Sequence, residues 1–203
     1  MKQFIYILPV ALIWLACSGE NDQKEMENTF QEDIEFLRKH TEVIVLKGDH
    51  EESRIAVVPA FQGRVMTSTL NGAAGMSFGW INHEKISSGI MDERFNAYGG
   101  EDRFWLGPEG GQFSLYHKPG GEFTLDNWYV PKQIDAEPFE VTAKNENTVS
   151  MKAEFSINNY AENTFDVKVE RQVKIFSNPE IIRNLHLADL EDLQAVGFES
   201  ENH

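Results

Sequence analysis

The chain has 203 residues, with 18 basic and 33 acidic side chains and a formal net charge of −15. That surplus disfavours nucleic acid and anionic lipid surfaces as partners, because phosphate recognition needs clustered Lys and Arg. Neutral sugars and cations remain admissible, and solubility outside the cell is the simplest source of the charge. The single cysteine, Cys17, excludes a disulfide within the chain and any multi-thiolate zinc site.

In chain order, Met1 and Lys2 precede a run from Phe4 to Ala16 that is apolar apart from the Tyr6 hydroxyl. At 1.5 Å per residue this run cannot cross a hydrocarbon core of roughly 30 Å, so residues 1–16 read as a signal peptide. It ends in Trp14-Leu15-Ala16-Cys17-Ser18, which resembles a lipobox, with Trp14 where a Leu is usual. The resemblance implies diacylation of Cys17 and anchoring through lipid, since more than one acyl chain holds stably. The alternative is a secretory signal with an incidental cysteine. The lipid reading places the chain in the bacterial cell envelope, anchored to the outer membrane and facing away from the cytoplasm. Residues 17–28 then form a polar, acidic tether, and residues 29–203 a single domain.

Thr29-Phe30-Gln31-Glu32 fits a capping box, and Phe30, Ile34 and Leu37 follow at helical spacing, which predicts a helix over Phe30 to His40. The period then changes to two. Val43 to Leu46, Arg54 to Val58, Arg64 to Leu70, Phe139 to Ala143, Thr148 to Phe155 and Phe165 to Ile175 read as strands, with turn signals between them. Asn158 to Asn163 is a hairpin turn. Arg171 interrupts the apolar face of the last of these strands, a position that costs several kcal/mol unless the charge is paired. It caps a sheet edge, pairs with a carboxylate or lines a cavity. Ala195 to Phe198 starts a further strand or leads into a site loop. Many short strands with one good helix predict an all-β antiparallel sandwich or barrel. A sheet that stops at His203 leaves an open edge, so the chain reads as the N-terminal part of a longer fold.

The densest block of candidate chemistry is Gly99 to Ser114, Gly-Gly-Glu-Asp-Arg-Phe-Trp-Leu-Gly-Pro-Glu-Gly-Gly-Gln-Phe-Ser. Its glycines imply tight turns and close backbone approaches. Its carboxylates, arginine and aromatics, with Tyr116, His117, Trp128 and Tyr129 close behind, are the mixture a sugar pocket needs: an apolar wall with a few placed polar groups. On composition alone the simpler reading leads, with Phe104, Trp105 and Phe113 in the core and the charges capping strands.

This block, with Phe78-Gly79-Trp80-Ile81-Asn82 before it and Phe198-Glu199-Ser200-Glu201-Asn202 after it, resembles a family of bacterial lipoproteins similar in fold to the galactose mutarotase (aldose 1-epimerase) superfamily. The resemblance covers Val43 to His203. It implies an antiparallel β-supersandwich continuing beyond His203, and carbohydrate, mono- or oligosaccharide, as ligand. It also implies an epimerase-like reaction without organic cofactor, in which a carboxylate base takes the anomeric proton while a histidine acid protonates the ring oxygen. The base lies late in that fold, beyond this chain. Sugar contacts then fall to Arg103, Trp105, Glu101 and Asn202, and candidate catalytic groups are His117, Glu109 and His203. A glycan-binding module without chemistry, or a structural envelope lipoprotein, are the alternatives.

Other motifs fail on context. Gly75-Met76-Ser77-Phe78-Gly79 matches G-x-S-x-G but lacks the strand before and helix after that a nucleophile elbow requires. His83-Glu84 lacks the second histidine of a zincin, and the six histidines show no metal-ligand spacing.

Overall fold

The computed structural model describes residues 28–49 and 52–203. The expected signal peptide, Cys17 and all of the expected tether except Asn28 lie outside these residues, as does His50.

Helix α1 (Phe30–Arg38) starts where its capping box predicts. Thr29 Oγ1 accepts from the Glu32 amide at 3.3 Å, and Glu32 Oε2 accepts from the Thr29 amide at 2.8 Å. Each side chain satisfies a donor that the helix cannot pair itself. The helix stops two residues short of the expected end, where the Lys39 and His40 amides turn back to the Phe36 and Leu37 carbonyls. Phe30, Ile34 and Leu37 are buried, as their spacing requires.

Among the described residues, seven strands form two antiparallel sheets. β1 (Ile44–Lys47), β2 (Arg54–Val58) and β3 (Arg64–Thr69) make one, and β4 (Glu140–Lys144), β5 (Thr148–Asn158), β6 (Thr164–Ile175) and β7 (Phe198–Asn202) make the other, both in sequence order. The long β5–β6 hairpin pairs from Thr148↔Lys174 to Asn158↔Thr164 without interruption. Its alternation sends Val149, Met151, Ile157, Val169, Val173 and Ile175 inward, where they join Ile44, Leu46, Ile55, Val57 and Val65 of the smaller sheet in one core. Two sheets sharing one apolar layer make a β-sandwich, the class that the patterning predicts.

Three further α-helices among the described residues correct the expectation of a single one: α2 (His83–Ser88), α3 (Lys132–Asp135) and α4 (Asn178–Leu185). α4 opens on a second capping box, between Ser177 and Glu180. Residues 195–197 are not strand, and pairing starts at Phe198 against Ile175.

The outer edge of β3 is covered by the chain itself. The Val65 amide donates to Asp102 O at 3.1 Å, the Phe78 amide donates to Ser68 O at 3.0 Å, and Glu101 Oε1 accepts from Ser68 N at 2.7 Å and Ser68 Oγ at 2.9 Å. Glu101 therefore caps a strand edge that would otherwise be open to pairing. Burial raises its carboxyl above the ordinary range, and the Ser68 bonds oppose that shift only in part.

Arg171, 1% exposed on the inner face of β6, is paired with a carboxylate. Its Nη2 donates to Asp102, its Nη1 donates to Asn202 Oδ1 at 2.9 Å, and its Nε donates to Gly63 O at 3.2 Å.

Two predictions follow from these contacts. Asp102→Asn leaves the buried Arg171 charge without its counterion and is expected to cost roughly 3 kcal/mol, read as a lower urea midpoint with an unchanged slope; an unchanged midpoint would show that Asn202 and Gly63 suffice. For Glu101, a raised carboxyl means that the folded state favours the protonated form, so its contribution to stability is present in acid and lost as pH rises through the folded value. Glu101→Gln keeps a neutral oxygen acceptor for Ser68. It is expected to be more stable than wild type at pH 7 in thermal melts, with the difference vanishing in acid; a destabilised variant at pH 7 would contradict this.

Candidate functional site

The glycine-rich segment begins pressed against Trp80. The Gly100 amide donates to Trp80 O at 2.8 Å, and Gly99 bridges Ile81. Gly99 has φ 91°, and a Cβ there would lie 2.2 Å from Trp80 O, so no other residue permits this approach. Gly107 and Gly110 differ: a Cβ at either would meet nothing within 4 Å, so the close approach expected of the block holds only at its start.

The next three residues go three ways. Glu101 caps β3 and Asp102 pairs with Arg171. Arg103 reaches α3, where its Nη2 donates to Ile134 O at 3.0 Å and to Asp135 Oδ1 at 3.4 Å. Burial lowers the Arg103 guanidinium while Asp135 opposes the shift. Asp135 is held in turn by Asn96, whose amide and Nδ2 donate to Oδ2 at 2.8 and 2.7 Å.

From Arg103 a ladder of rings runs along the core. The guanidinium lies 4.1 Å over the Trp105 indole and 5.7 Å from the Phe95 ring. Trp105 stacks on Tyr116 at 5.0 Å, Tyr116 stacks on Trp128 at 6.0 Å, and Trp128 meets Phe95 edge-on at 5.8 Å. The circuit closes back on Arg103. At its rim the Trp105 Nε1–H donates to Glu109 Oε1 at 2.8 Å. Tyr116, buried, donates its hydroxyl to Leu106 O at 2.5 Å, and burial and then the Glu109 charge push its phenol up. Glu109 Oε2 and Arg103 Nη1 have no hydrogen-bond partner among the described residues, and Arg103 is partly open, its side chain 21% exposed. A free carboxylate oxygen and a free guanidinium N–H beside an indole offer one acceptor and one donor to a ligand.

His117 is buried behind this rim. Ser114 Oγ donates its one proton to Glu109 O at 2.7 Å and faces His117 Nδ1 at 3.1 Å, so Nδ1 is the donor in that contact. The ring meets Phe123 edge-on at 5.0 Å. His117 thus reaches the Glu109 backbone through Ser114, and no bond joins it to the Glu109 carboxylate.

The remaining predicted residues lie elsewhere. Asn202 serves Arg171. His203 pairs through its backbone with Glu170 at 2.9 Å in both directions, with its side chain 77% exposed. The strand register puts it on the outward face of the larger sheet, beside an open cleft of about 400 Å³ lined by Lys152, Glu170 and Gln172. The structure therefore groups Arg103, Trp105 and Glu109, sets His117 behind them, and separates Glu101, Asn202 and His203 from them. Ser77, of the rejected esterase motif, shares a 2.6 Å hydrogen bond with Thr67 Oγ1.

Sequence reading missed Arg64 and Asp135. Arg64 is 2% exposed on the first residue of β3 and donates from Nη1 to Gly99 O at 2.8 Å. Burial first, then its neighbour Arg103, bring its guanidinium down to about 10. The Nε atoms of Arg64 and Arg103 are the two buried side-chain polar atoms without a partner among the described residues. A charged residue opening a short strand of small and apolar residues was the available signal for Arg64; Asp135, in a single helical turn, had none.

No curated protein and no solved structure matches the chain. Residues 28–203, which take in both sheets and the whole glycine-rich segment, match the family of unknown function DUF6786. The chain belongs to that family.

Proposed function

We propose that this chain is an envelope lipoprotein, anchored through Cys17, that binds carbohydrate at the Arg103–Trp105–Glu109 rim of the aromatic ladder. The scaffold in this reading is a β-supersandwich of the galactose mutarotase-like type. The observation that carries the proposal is the free acceptor of Glu109 and the free donor of Arg103 beside Trp105, a pairing suited to sugar hydroxyls at the edge of an aromatic wall. The rings on which the wall rests are already packed against one another, so the rim is held in place before a ligand arrives, which lowers the cost of binding.

Binding is favoured over turnover by the placement of the three candidate catalytic groups. Epimerisation needs an acid and a base on one sugar ring. His203 faces outward from the larger sheet, away from the rim, and His117 is buried behind the rim with Nδ1 tied to Ser114.

Proton NMR of the protein with common aldohexoses and their oligomers tests the reading. Saturation transfer to the sugar without faster exchange between its α and β anomers is expected. Glu109→Gln, which keeps the acceptor for the Trp105 N–H, is expected to weaken binding. Trp105→Ala is expected to weaken it by about tenfold or more, a loss of roughly 1.4 kcal/mol. Faster anomer exchange would assign epimerase chemistry instead, and a well-dispersed sample showing no transfer would count against these sugars and favour a structural role.

A further inference from the structure

Residues 76–81 run along the open edge of β3 with their amphipathic pattern turned inside out. The inward positions are small, polar or core. Ser77 Oγ bonds Thr67 Oγ1 at 2.6 Å, the Gly79 amide donates to Thr67 Oγ1 at 3.0 Å, and Ile81 is buried. A Cβ on Gly79 would lie 2.1 Å from Met66 O, so the segment cannot rotate to hide a larger side chain there. The outward positions are Met76, Phe78 and Trp80, which are 46%, 45% and 64% exposed. The three alternate with the inward residues along the segment and share its outward side as an apolar ridge. Exposed apolar side chains arranged in this way mark a surface that meets something.

The position of the ridge identifies what it meets. The Ser77 amide donates to Asn28 O at 3.0 Å, and Thr29 bridges Met76. The chain therefore enters the domain alongside the ridge, from a tether whose residues 17–27 reach at most roughly 40 Å. No polar side chain is interleaved among the three outward residues, and Glu101, which caps the same edge of β3, is committed to Ser68. A sugar would need hydroxyl partners that the ridge does not offer, whereas a headgroup–acyl boundary needs apolar side chains with a tryptophan among them.

We infer that Met76, Phe78 and Trp80 dip into the surface of the membrane that holds the N-terminal lipid, laying the domain down on it. The inference rests on the lipid-anchoring part of the proposed function. The net charge of −15 directs it to zwitterionic rather than anionic lipid.

The test uses the lipidated chain from Cys17 to His203, which lacks Trp14, with phosphatidylcholine vesicles whose acyl chains are brominated, reading flotation and tryptophan quenching together. Wild type is expected to float and be quenched. Trp80→Phe, which keeps the ridge apolar and isolates Trp80 from the other tryptophans, is expected to float and lose most of the quenching. Phe78→Ser, with Trp80 in place, is expected to float with reduced quenching. Flotation with equal quenching in wild type and Trp80→Phe would overturn the docking while leaving the anchor standing. Failure to float would overturn both.

Discussion

The fold is organised around one guanidinium. Arg171 projects from β6 into the layer between the sheets and is held by a carboxylate from the glycine-rich segment, an amide from β7 and a carbonyl from the turn before β3. A buried charge is tolerated only with such partners, because the penalty for desolvating it is several kcal/mol. The apolar layer around it could in principle slide, since hydrophobic contact is non-directional. A planar fork with three fixed acceptors cannot slide in the same way, so Arg171 gives the two sheets a relative register.

The candidate site depends on that register. Asp102 is both the partner of Arg171 and the residue that bridges β3 through Val65, which fixes the next residue, Arg103, over Trp105. Asp135 holds the other side of Arg103, and Asn96 holds Asp135. Each polar group is positioned by another that is more deeply buried. At the rim this leaves only Glu109 and one edge of Arg103 for a ligand. Two arginines with unpartnered Nε atoms, Arg64 and Arg103, lie in this region.

The strands were legible in the sequence because their cause is local: alternation on β5 and β6 reports the two faces of a half-buried sheet. The helix at Phe30 was legible because its cap is written in four residues. The cap of α4 is equally local, Ser177 with Glu180, on a helix of eight residues. The conflict at Arg171 between charge and apolar face left a sheet edge, a carboxylate and a cavity open, since Asp102, its partner, is far away in the chain. The site was legible only in part for a geometrical reason. Glu101, Asp102 and Arg103 are consecutive, yet their side chains serve Ser68, Arg171 and Asp135. Composition places such residues in one block, whereas the backbone sends them to different partners. Asn202 and His203 are separated in the same way, by the inward and outward faces of β7 and its extension.

The most direct measurement is the nitrogen–proton NMR spectrum of the indole groups during titration with glycan. The Trp105 Nε1 proton is shared with Glu109 and should shift as a sugar engages that carboxylate, while the Trp80 signal stays in place. A Trp105 signal that stays fixed while binding proceeds, or a shift at Trp80 instead, would contradict a carbohydrate site on the Arg103–Trp105–Glu109 rim.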